Sequence, residues 1–173
     1  MKIILSGYMG SGKTVIGKNL AEKMEVKYVD LDEEISKREQ KSIPQIFEDS
    51  GEIYFRKIES QVLQEIIKSP VNLVLSLGGG TPCYGKNLEL IKGNSDSGLV
   101  YLKVGLEELL RRLAAEKEER PLISHLDSLE ALENFVRKHL YERSFYYNQS
   151  DFIIDTDGKD VEESVAIILS KLK

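Results

Sequence analysis

The sequence predicts a three-layer α/β/α domain built on a parallel sheet of about five strands. Short apolar runs alternate with segments of helical periodicity over the whole length of 173 residues, as expected of repeated strand–helix units. The run at residues 71–77 (VNLVLSL) is mostly apolar, which is typical of a parallel strand buried on both faces. We therefore expect one domain that spans residues 1–173.

The first half of the chain contains three predicted strands. Residues 2–6 form a short β-rich run, and residues 13–24 follow it with apolar side chains at helical spacing. A second strand is predicted at residues 27–29. Ser42, followed two positions later by a proline, has the pattern of a helix start. Two helices, at residues 43–48 and 53–67, are therefore expected before the third strand at residues 71–77.

The second half continues the same alternation. Apolar runs at residues 99–104 and 152–154 predict the fourth and fifth strands. Helical periodicity predicts the intervening and final elements, at residues 106–115, 126–147 and 161–172.

Composition excludes several classes of function. The net charge of -5 argues against nucleic-acid binding, because proteins that bind a phosphate backbone usually carry a basic excess. No apolar stretch approaches the roughly 20 residues of a membrane span. Cys83 is the only cysteine, so neither an internal disulfide nor a cysteine-based zinc site is possible. We expect a cytoplasmic protein, and a monomer because no exposed apolar stripe stands out.

The strongest local pattern is a phosphate-binding loop. Residues 7–14 read GYMGSGKT and match the Walker A motif in full, between a predicted strand and a predicted helix. Glycines let backbone N–H groups surround phosphates, and the helix dipole adds favourable potential. Lys13 would reach the β- and γ-phosphates of a nucleotide, and the Thr14 hydroxyl would ligate Mg²⁺. The predicted nucleotide-binding residues of the loop are Gly10, Ser11, Gly12, Lys13, Thr14 and Val15.

A Walker A loop predicts nucleotide binding but leaves the reaction open. GTP switches require an Asn-Lys-x-Asp element, which this sequence lacks, and most motor ATPases require additional domains. Small-molecule kinases fit the length of the chain best. A nucleotide-binding regulatory domain without turnover is the alternative that is not an enzyme.

Five further elements narrow the class, and they occur in this order: Asp30-Leu31-Asp32, residues 55–59 (FRKIE), Gly78-Gly79-Gly80, Arg120-Pro121-Leu122 and Arg143. This set and its order resemble shikimate kinases, small members of the nucleoside-monophosphate-kinase-like group of P-loop proteins, and the resemblance covers nearly the whole chain. It implies the P-loop NTPase fold and the ATP-dependent phosphorylation of shikimate to shikimate 3-phosphate, with Mg²⁺, in aromatic amino acid biosynthesis. Gluconate kinases and nucleoside monophosphate kinases are the neighbouring alternatives.

The resemblance assigns the paired aspartates different roles. It places Asp30 near the water shell of the magnesium ion, and it makes Asp32 the acceptor of hydrogen bonds from substrate hydroxyls and an aid to their deprotonation. An ionised carboxylate, which only accepts hydrogen bonds, suits both tasks. The structural alternative is that these aspartates end a strand and cap a helix, a common use of this residue.

The resemblance also implies a site for the substrate carboxylate. Arg56 and Arg143 would clamp it, since a guanidinium fork matches a carboxylate through two bonds at a time. Glu59, one helical turn after Arg56, would orient that arginine. Gly78, Gly79 and Gly80 follow a buried strand at its carboxyl end, where open α/β sheets bind ligands, and would present N–H groups to the substrate.

The charged run at residues 116–120 predicts part of a mobile lid at about residues 112–125. The resemblance implies that Arg120 swings over the transferring phosphate and that Arg112, or alternatively Arg111, packs against adenine. A solvated helix end is the structural alternative for this run.

Overall fold

The computed structural model describes residues 1–117 and 121–172 of the chain. In this part of the protein, five strands form one parallel sheet. They are β1 (Lys2–Ser6), β2 (Lys27–Asp30), β3 (Leu73–Ser76), β4 (Ser97–Lys103) and β5 (Phe152–Asp155). Their order across the sheet is β2-β3-β1-β4-β5.

Helices cover both faces of this sheet, which confirms the predicted three-layer architecture. They are α1 (Lys13–Lys23), α2 (Leu31–Glu39), α3 (Ile43–Lys68), α4 (Asn87–Lys92), α5 (Leu106–Ala115), α6 (Pro121–Ser124), α7 (Leu129–Tyr147) and α8 (Val161–Lys171). Among the helices of the described ranges, none is long and apolar enough to cross a membrane.

The central strands are buried because their alternate side chains face two different apolar layers. In β1, Ile4 packs into the cluster formed with α2, α3 and α4. Its neighbours Ile3 and Leu5 pack into the cluster formed with α1 and α8. A third cluster joins Tyr8 of the glycine loop to α5 and α7. The loop is therefore anchored to helices on its own side of the domain.

Helix α2 was missed by the periodicity because little of it is apolar. Only Leu31 and Ile35 of this helix are buried. Its start is set by Asp30, whose side chain accepts hydrogen bonds from the backbone N–H groups of Asp32 and Glu33. A helix with so few buried apolar residues gives a weak periodic pattern. The helices α4 and α6 were not predicted either, because they are too short to show a period.

All five strands are parallel, so the segments that follow their carboxyl ends lie at one edge of the sheet. The chain moves from β1 outward to β2, returns through β3, and then continues on the other side of β1 with β4 and β5. The carboxyl end of β1 is therefore the point where the direction of winding reverses, and open α/β sheets bind ligands at that point. The Walker loop follows β1 directly.

A kink at Gly51 divides α3 into the two helices that the sequence predicts. Gly51 has φ 79° and ψ 173°, a backbone conformation that is almost restricted to glycine. An added Cβ at this position would meet no atom within 4 Å, so the requirement for glycine comes from the backbone alone. The kink turns the second half of α3, which carries Arg56, toward the ends of the strands.

We expect Gly51→Asn to lower the free energy of unfolding by about 1–3 kcal/mol, because the new side chain strains a backbone that has no room to relax without moving α3. Urea denaturation measures this loss. Gly158→Asn is the matched control: Gly158 also has an open surrounding, and its φ of 66° lies in a turn closed by the Lys159 N–H and the Thr156 carbonyl. Asparagine is accepted at such a turn position, so equal losses in the two variants would contradict the proposed role of the kink.

Candidate active site

The Walker loop has the backbone conformation that phosphate binding requires. Gly10 and Gly12 adopt φ angles of 80° and 87°, which side-chain-bearing residues rarely take. The Lys13 ammonium donates hydrogen bonds to the carbonyl oxygens of Gly7 and Tyr8, at 2.8 and 3.0 Å. Lys13 therefore lies folded along the loop, at the edge of the cleft that the loop lines.

Helix α5 packs beside this loop, and its two neighbouring arginines differ in their contacts. Arg112 donates from Nη1 to the Gly10 carbonyl at 3.1 Å and from Nε to Glu108 at 2.6 Å. Arg111 also pairs with Glu108, but its side chain is 72% exposed. These hydrogen bonds with the two arginines lower the pKa of the Glu108 carboxyl to about 2. Of the two candidates for the adenine contact, Arg112 is the one that lines the nucleotide cleft.

The nucleotide cleft has a volume of about 590 Å³ and runs from the Walker loop toward the loop that follows β5. Arg112 and Glu116 lie on one side of it. Thr156, Lys159 and Asp160, from the loop that follows β5, line it as well, together with the start of α8. Val15, predicted to bind nucleotide, also lines the cleft and is 58% exposed there.

Asp30 fulfils the structural role of a helix cap and also faces the nucleotide cleft. Its Oδ1 accepts from the N–H groups of Asp32 and Glu33, and its Oδ2 accepts from the Tyr28 hydroxyl at 3.3 Å. Thr14 lines the same cleft. Among the described residues no cluster of three His, Cys, Asp or Glu side chains could hold a metal ion. A hydroxyl and one carboxylate still fit Mg²⁺, which usually takes one or two protein oxygens and completes its shell with water and phosphate.

Asp32 occupies an electrostatically unfavourable position next to the Walker loop. Burial, together with the negative charges of Asp30 and Glu59, raises the pKa of the Asp32 carboxyl to about 6, although Lys13 and Arg56 partly offset this shift. The raised pKa makes the group a better proton acceptor while it remains mostly ionised at neutral pH.

Arg56 is held by a buried carboxylate. Its Nη1 lies 2.9 Å from Oε2 of Glu59, whose side chain is only 1% exposed. The second oxygen of Glu59 accepts from the Thr81 hydroxyl at 2.7 Å. Behind them, Asn87 donates to the Thr81 carbonyl and accepts from Ser60, which closes a ring between α3 and the segment after β3. This ring satisfies a buried charge that would otherwise be costly.

Arg143 is positioned from α7 by two tyrosines. Its Cζ lies 5.6 Å from the centre of the Tyr8 ring, which belongs to the Walker loop. The hydroxyl of Tyr147, one helical turn after Arg143, donates to the carbonyl of Gly79. Burial raises the pKa of Tyr147, so the hydroxyl stays protonated and can donate this bond. Helix α7 therefore contacts both the Walker loop and the glycine triplet.

The three glycines after β3 form a surface against which the predicted substrate-binding side chains lie. A Cβ on Gly78 would fall 3.1 Å from Oδ1 of Asp32, and a Cβ on Gly80 would fall 3.1 Å from Nη2 of Arg56. A Cβ on Gly79 would lie 3.4 Å from Nη1 of Arg143. Each glycine is thus next to a different charged group, and a side chain at Gly78 or Gly80 would crowd Asp32 or Arg56.

These groups line a second cleft of about 330 Å³, which shares Asp32 and the first two glycines with the nucleotide cleft. Its opposite wall is apolar and includes Ile43, Phe47 and Phe55. Leu122, from the predicted lid, also lines it. Arg120, the predicted lid arginine, lies outside the described residues.

Several residues of the site gave no signal in the sequence. Thr81, Asn87 and Tyr147 act through hydrogen bonds to partners far along the chain, and the Tyr84 ring lies over the guanidinium of Arg56 at 3.7 Å. The only available hint was their position within seven residues of the glycine triplet or near the end of α7.

Comparison with known proteins agrees with this geometry. The profile of the shikimate kinase family matches residues 9–173. A shikimate kinase from Flavobacterium johnsoniae is 44% identical over 171 residues, covering 99% of this chain and 98% of that protein. A shikimate kinase from Azobacteroides pseudotrichonymphae is 42% identical and covers 99% of both chains.

Two solved structures have the same fold. The crystal structure of a shikimate kinase from Bacteroides thetaiotaomicron superposes with a TM-score of 0.91 at 34% identity, covering 99% of this chain and 98% of the other. A shikimate kinase from Acinetobacter baumannii, solved in complex with shikimate, superposes with a TM-score of 0.87 at 32% identity, covering 99% and 92%.

We expect Asp32→Asn to raise the free energy of unfolding by about 1–3 kcal/mol at pH 7.5. The pKa of this carboxyl rises from 3.8 to about 6 on folding, so the folded state binds the extra proton and wild-type stability falls as the pH increases from about 4 to about 6. Asparagine carries no charge to bury and removes this loss.

Denaturant unfolding of both proteins between pH 4 and 8 tests this expectation. The gap between variant and wild type should close near pH 4, where the carboxyl is protonated in the folded state. Asp49→Asn is the control, because Asp49 pairs with Lys41 at the surface, 2.8 Å away, and should change stability by less than about 1 kcal/mol. If Asp32→Asn is less stable than wild type at pH 7.5, the expectation that the charge of Asp32 destabilises the folded state is contradicted.

Proposed function

The chain belongs to the shikimate kinase family and phosphorylates shikimate with ATP in aromatic amino acid biosynthesis, and we propose that Lys13, Asp32 and Arg120 carry the phosphoryl transfer. One observation supports the acceptor side of this proposal more than any other. Asp32, Arg143 and Arg56 each lie against a different glycine of the triplet, beside the Walker loop. One acceptor for hydroxyl hydrogens and two guanidinium groups match a small hydroxylated carboxylic acid.

On the donor side, the Walker loop binds the phosphates of ATP. The backbone N–H groups of residues 10–14 surround the phosphate oxygens, and Lys13 leaves its carbonyl partners to contact the β- and γ-phosphates. Arg112 lines the adenine end of the cleft and is kept there by its bonds to Gly10 and Glu108. The γ-phosphate then points toward the cleft that contains Asp32.

On the acceptor side, Arg56 and Arg143 bind the carboxylate, and Asp32 accepts a hydrogen bond from the hydroxyl that reacts. The oxygen of this hydroxyl forms a bond to the γ-phosphorus while the bond from phosphorus to the bridging oxygen of ADP breaks. The proton of the hydroxyl passes to Asp32, whose raised pKa suits that task. Positioning and charge neutralisation supply most of the catalysis, because the transfer involves no covalent enzyme intermediate.

We propose that Thr14 and Asp30 hold Mg²⁺ with the nucleotide, Thr14 directly and Asp30 through its free capacity at Oδ2 or through water. When bound, the ion neutralises phosphate charge. We further propose that the chain acts as a monomer, since the described residues of one chain supply both clefts. The single cysteine suits the reducing cytoplasm.

We also propose a lid at about residues 112–125 that closes over both substrates. Leu122 borders the second cleft, which we call the acceptor cleft, and Arg112 and Glu116 border the nucleotide cleft, so the described ends of this segment lie next to both clefts. Closure would exclude water and strengthen the interactions of every charge inside.

We expect Arg56→Ala to weaken shikimate binding by about 2–5 kcal/mol and to leave ATP binding nearly unchanged, because the arginine belongs to the acceptor cleft alone. Calorimetric titration with each ligand measures both effects. In a coupled assay of ADP release, wild type should accept shikimate in preference to gluconate and nucleoside monophosphates. Turnover with gluconate at the rate of shikimate would overturn the assignment of the acceptor.

The control for this variant is Arg38→Ala. Arg38 also pairs with a glutamate of α3, at 2.8 Å, but both side chains are exposed to solvent. Its replacement should change shikimate binding by less than about 1 kcal/mol. Equal losses for ATP and shikimate in Arg56→Ala would instead identify Arg56 as a structural residue.

We expect Arg120→Ala to lower kcat by about a hundredfold or more and to raise KM for either substrate far less. The guanidinium would contact the phosphoryl group most strongly in the transition state, and arginines in this role contribute on the order of 10³–10⁵ in rate. Arg120→Lys should recover part of the loss, since a point charge cannot replace the fork. Arg111→Ala, which removes an exposed arginine of α5, is the control. If Arg120→Ala lowers kcat by less than about threefold, the alternative that this segment is only a solvated helix end is supported.

A further inference from the structure

We propose that Tyr84 is a positioning residue for the substrate: its ring fixes the plane of the Arg56 guanidinium so that the hydrogen-bonding edge faces the carboxylate. The inference rests on the proposed role of Arg56 as part of the carboxylate clamp. Tyr84 itself lines neither the nucleotide cleft nor the acceptor cleft.

The contact between the two side chains is a close stack. Arg56 Cζ lies 3.7 Å from the centre of the Tyr84 ring, well inside the distance of about 6 Å at which a cation interacts with an aromatic face. Phe55 lies 5.0 Å from the same guanidinium carbon. Together with Glu59, the stack leaves the Arg56 side chain only 20% exposed, so that its interactions are weakly screened by solvent.

The stack matters because two carboxylates compete for this guanidinium. Glu59 holds Nη1 from within the protein, at 2.9 Å, while Glu52 lies 3.5 Å from Nε and is 54% exposed. Nε is buried and makes no hydrogen bond within the described residues, although Glu52 is near. Rotation toward Glu52 would satisfy Nε but would draw the guanidinium out of the cleft. The ring opposes that rotation.

An aromatic face is suited to this task for a chemical reason. A carboxylate or carbonyl in the place of Tyr84 would occupy N–H donors that the substrate needs, since Arg has a fixed set of five. The face of the ring attracts the guanidinium without using any of these donors, while the Tyr84 hydroxyl lies near Arg56 and Glu52. Nη2, next to Gly80 at the floor of the acceptor cleft, stays available for the incoming carboxylate.

Tyr84 belongs to the chain segment after β3 that also holds Glu59. It directly follows the short 3-10 turn Thr81–Cys83, whose first residue donates to Glu59. Its carbonyl accepts from the N–H of Asn87 at 3.2 Å, and Asn87 also donates to the Thr81 carbonyl. The residue that holds Glu59 and the ring that covers Arg56 therefore belong to one segment, so the two contacts to Arg56 are coupled.

The experiment compares Tyr84→Leu, Tyr84→Phe and the control Tyr54→Leu, in the full chain. Tyr54 is 38% exposed, close to the 36% of Tyr84, and its hydroxyl bonds to Glu39 at the surface. Calorimetry should show that Tyr84→Leu raises the Kd for shikimate by about 3- to 30-fold, with the Kd for ATP changed by less than about twofold. Tyr84→Phe should stay within about twofold of wild type because it keeps the ring, and so should Tyr54→Leu. If Tyr84→Leu loses the wild-type melting transition, Tyr84→Met provides the same measurement.

A double-mutant cycle with Arg56→Lys decides whether Tyr84 acts through Arg56. In the Arg56→Lys background, Tyr84→Leu should change the Kd for shikimate by less than about twofold, because no guanidinium remains to be oriented. Equal weakening in both backgrounds, weakening of ATP and shikimate alike, or a Tyr84→Phe variant as weak as Tyr84→Leu would each overturn the inference. If Arg56→Lys itself leaves shikimate binding unchanged, the proposed carboxylate clamp fails. If only Arg56→Lys weakens binding, the clamp stands and the role of Tyr84 is refuted.

Discussion

The acceptor cleft depends on one steric constraint, the absence of side chains at three consecutive positions after β3. Gly78, Gly79 and Gly80 are each approached within about 3.5 Å of the missing Cβ by a charged group of another element. Asp32 comes from α2, Arg56 from α3 and Arg143 from α7. Because these helices converge on one backbone segment, a methyl group at Gly78 or Gly80 would crowd Asp32 or Arg56, while one at Gly79 would come into van der Waals contact with Arg143.

Electrostatic interactions stabilise some of the charged groups in this cleft and destabilise others. Glu59 is a nearly fully buried carboxylate, so it requires both Arg56 and Thr81 as partners. Its charge also contributes to the raised pKa of Asp32, and it thereby links the Arg56 end of the cleft to the Asp32 end. The domain keeps a carboxylate at Asp32 whose burial is destabilising, as is common at functional sites.

The topology of the sheet supplies the connection between donor and acceptor. Since β1 lies between β3 and β4, the Walker loop is flanked by the glycine triplet on one side and by the nucleotide cleft near β5 on the other. Helix α7 secures this arrangement, because Tyr147 bonds to the triplet while Arg143 lies over Tyr8 of the Walker loop. A displacement of α7 would therefore disturb both substrates.

The sequence by itself determined the parts of this protein that depend on local patterns. The five strands, the Walker loop at residues 7–14 and the split of α3 follow from apolar runs, glycine spacing and helix signals, which act within a few residues. The family pattern added Asp32, Arg56 and Arg143. The sequence missed α2, whose start depends on the Asp30 cap, and it left Arg111 and Arg112 unresolved. Only the tertiary structure showed that Arg112, and not Arg111, lines the cleft beside the Walker loop. It also revealed Thr81, Tyr84 and Tyr147, because these side chains act on partners that are distant in the chain, and no local pattern records such contacts.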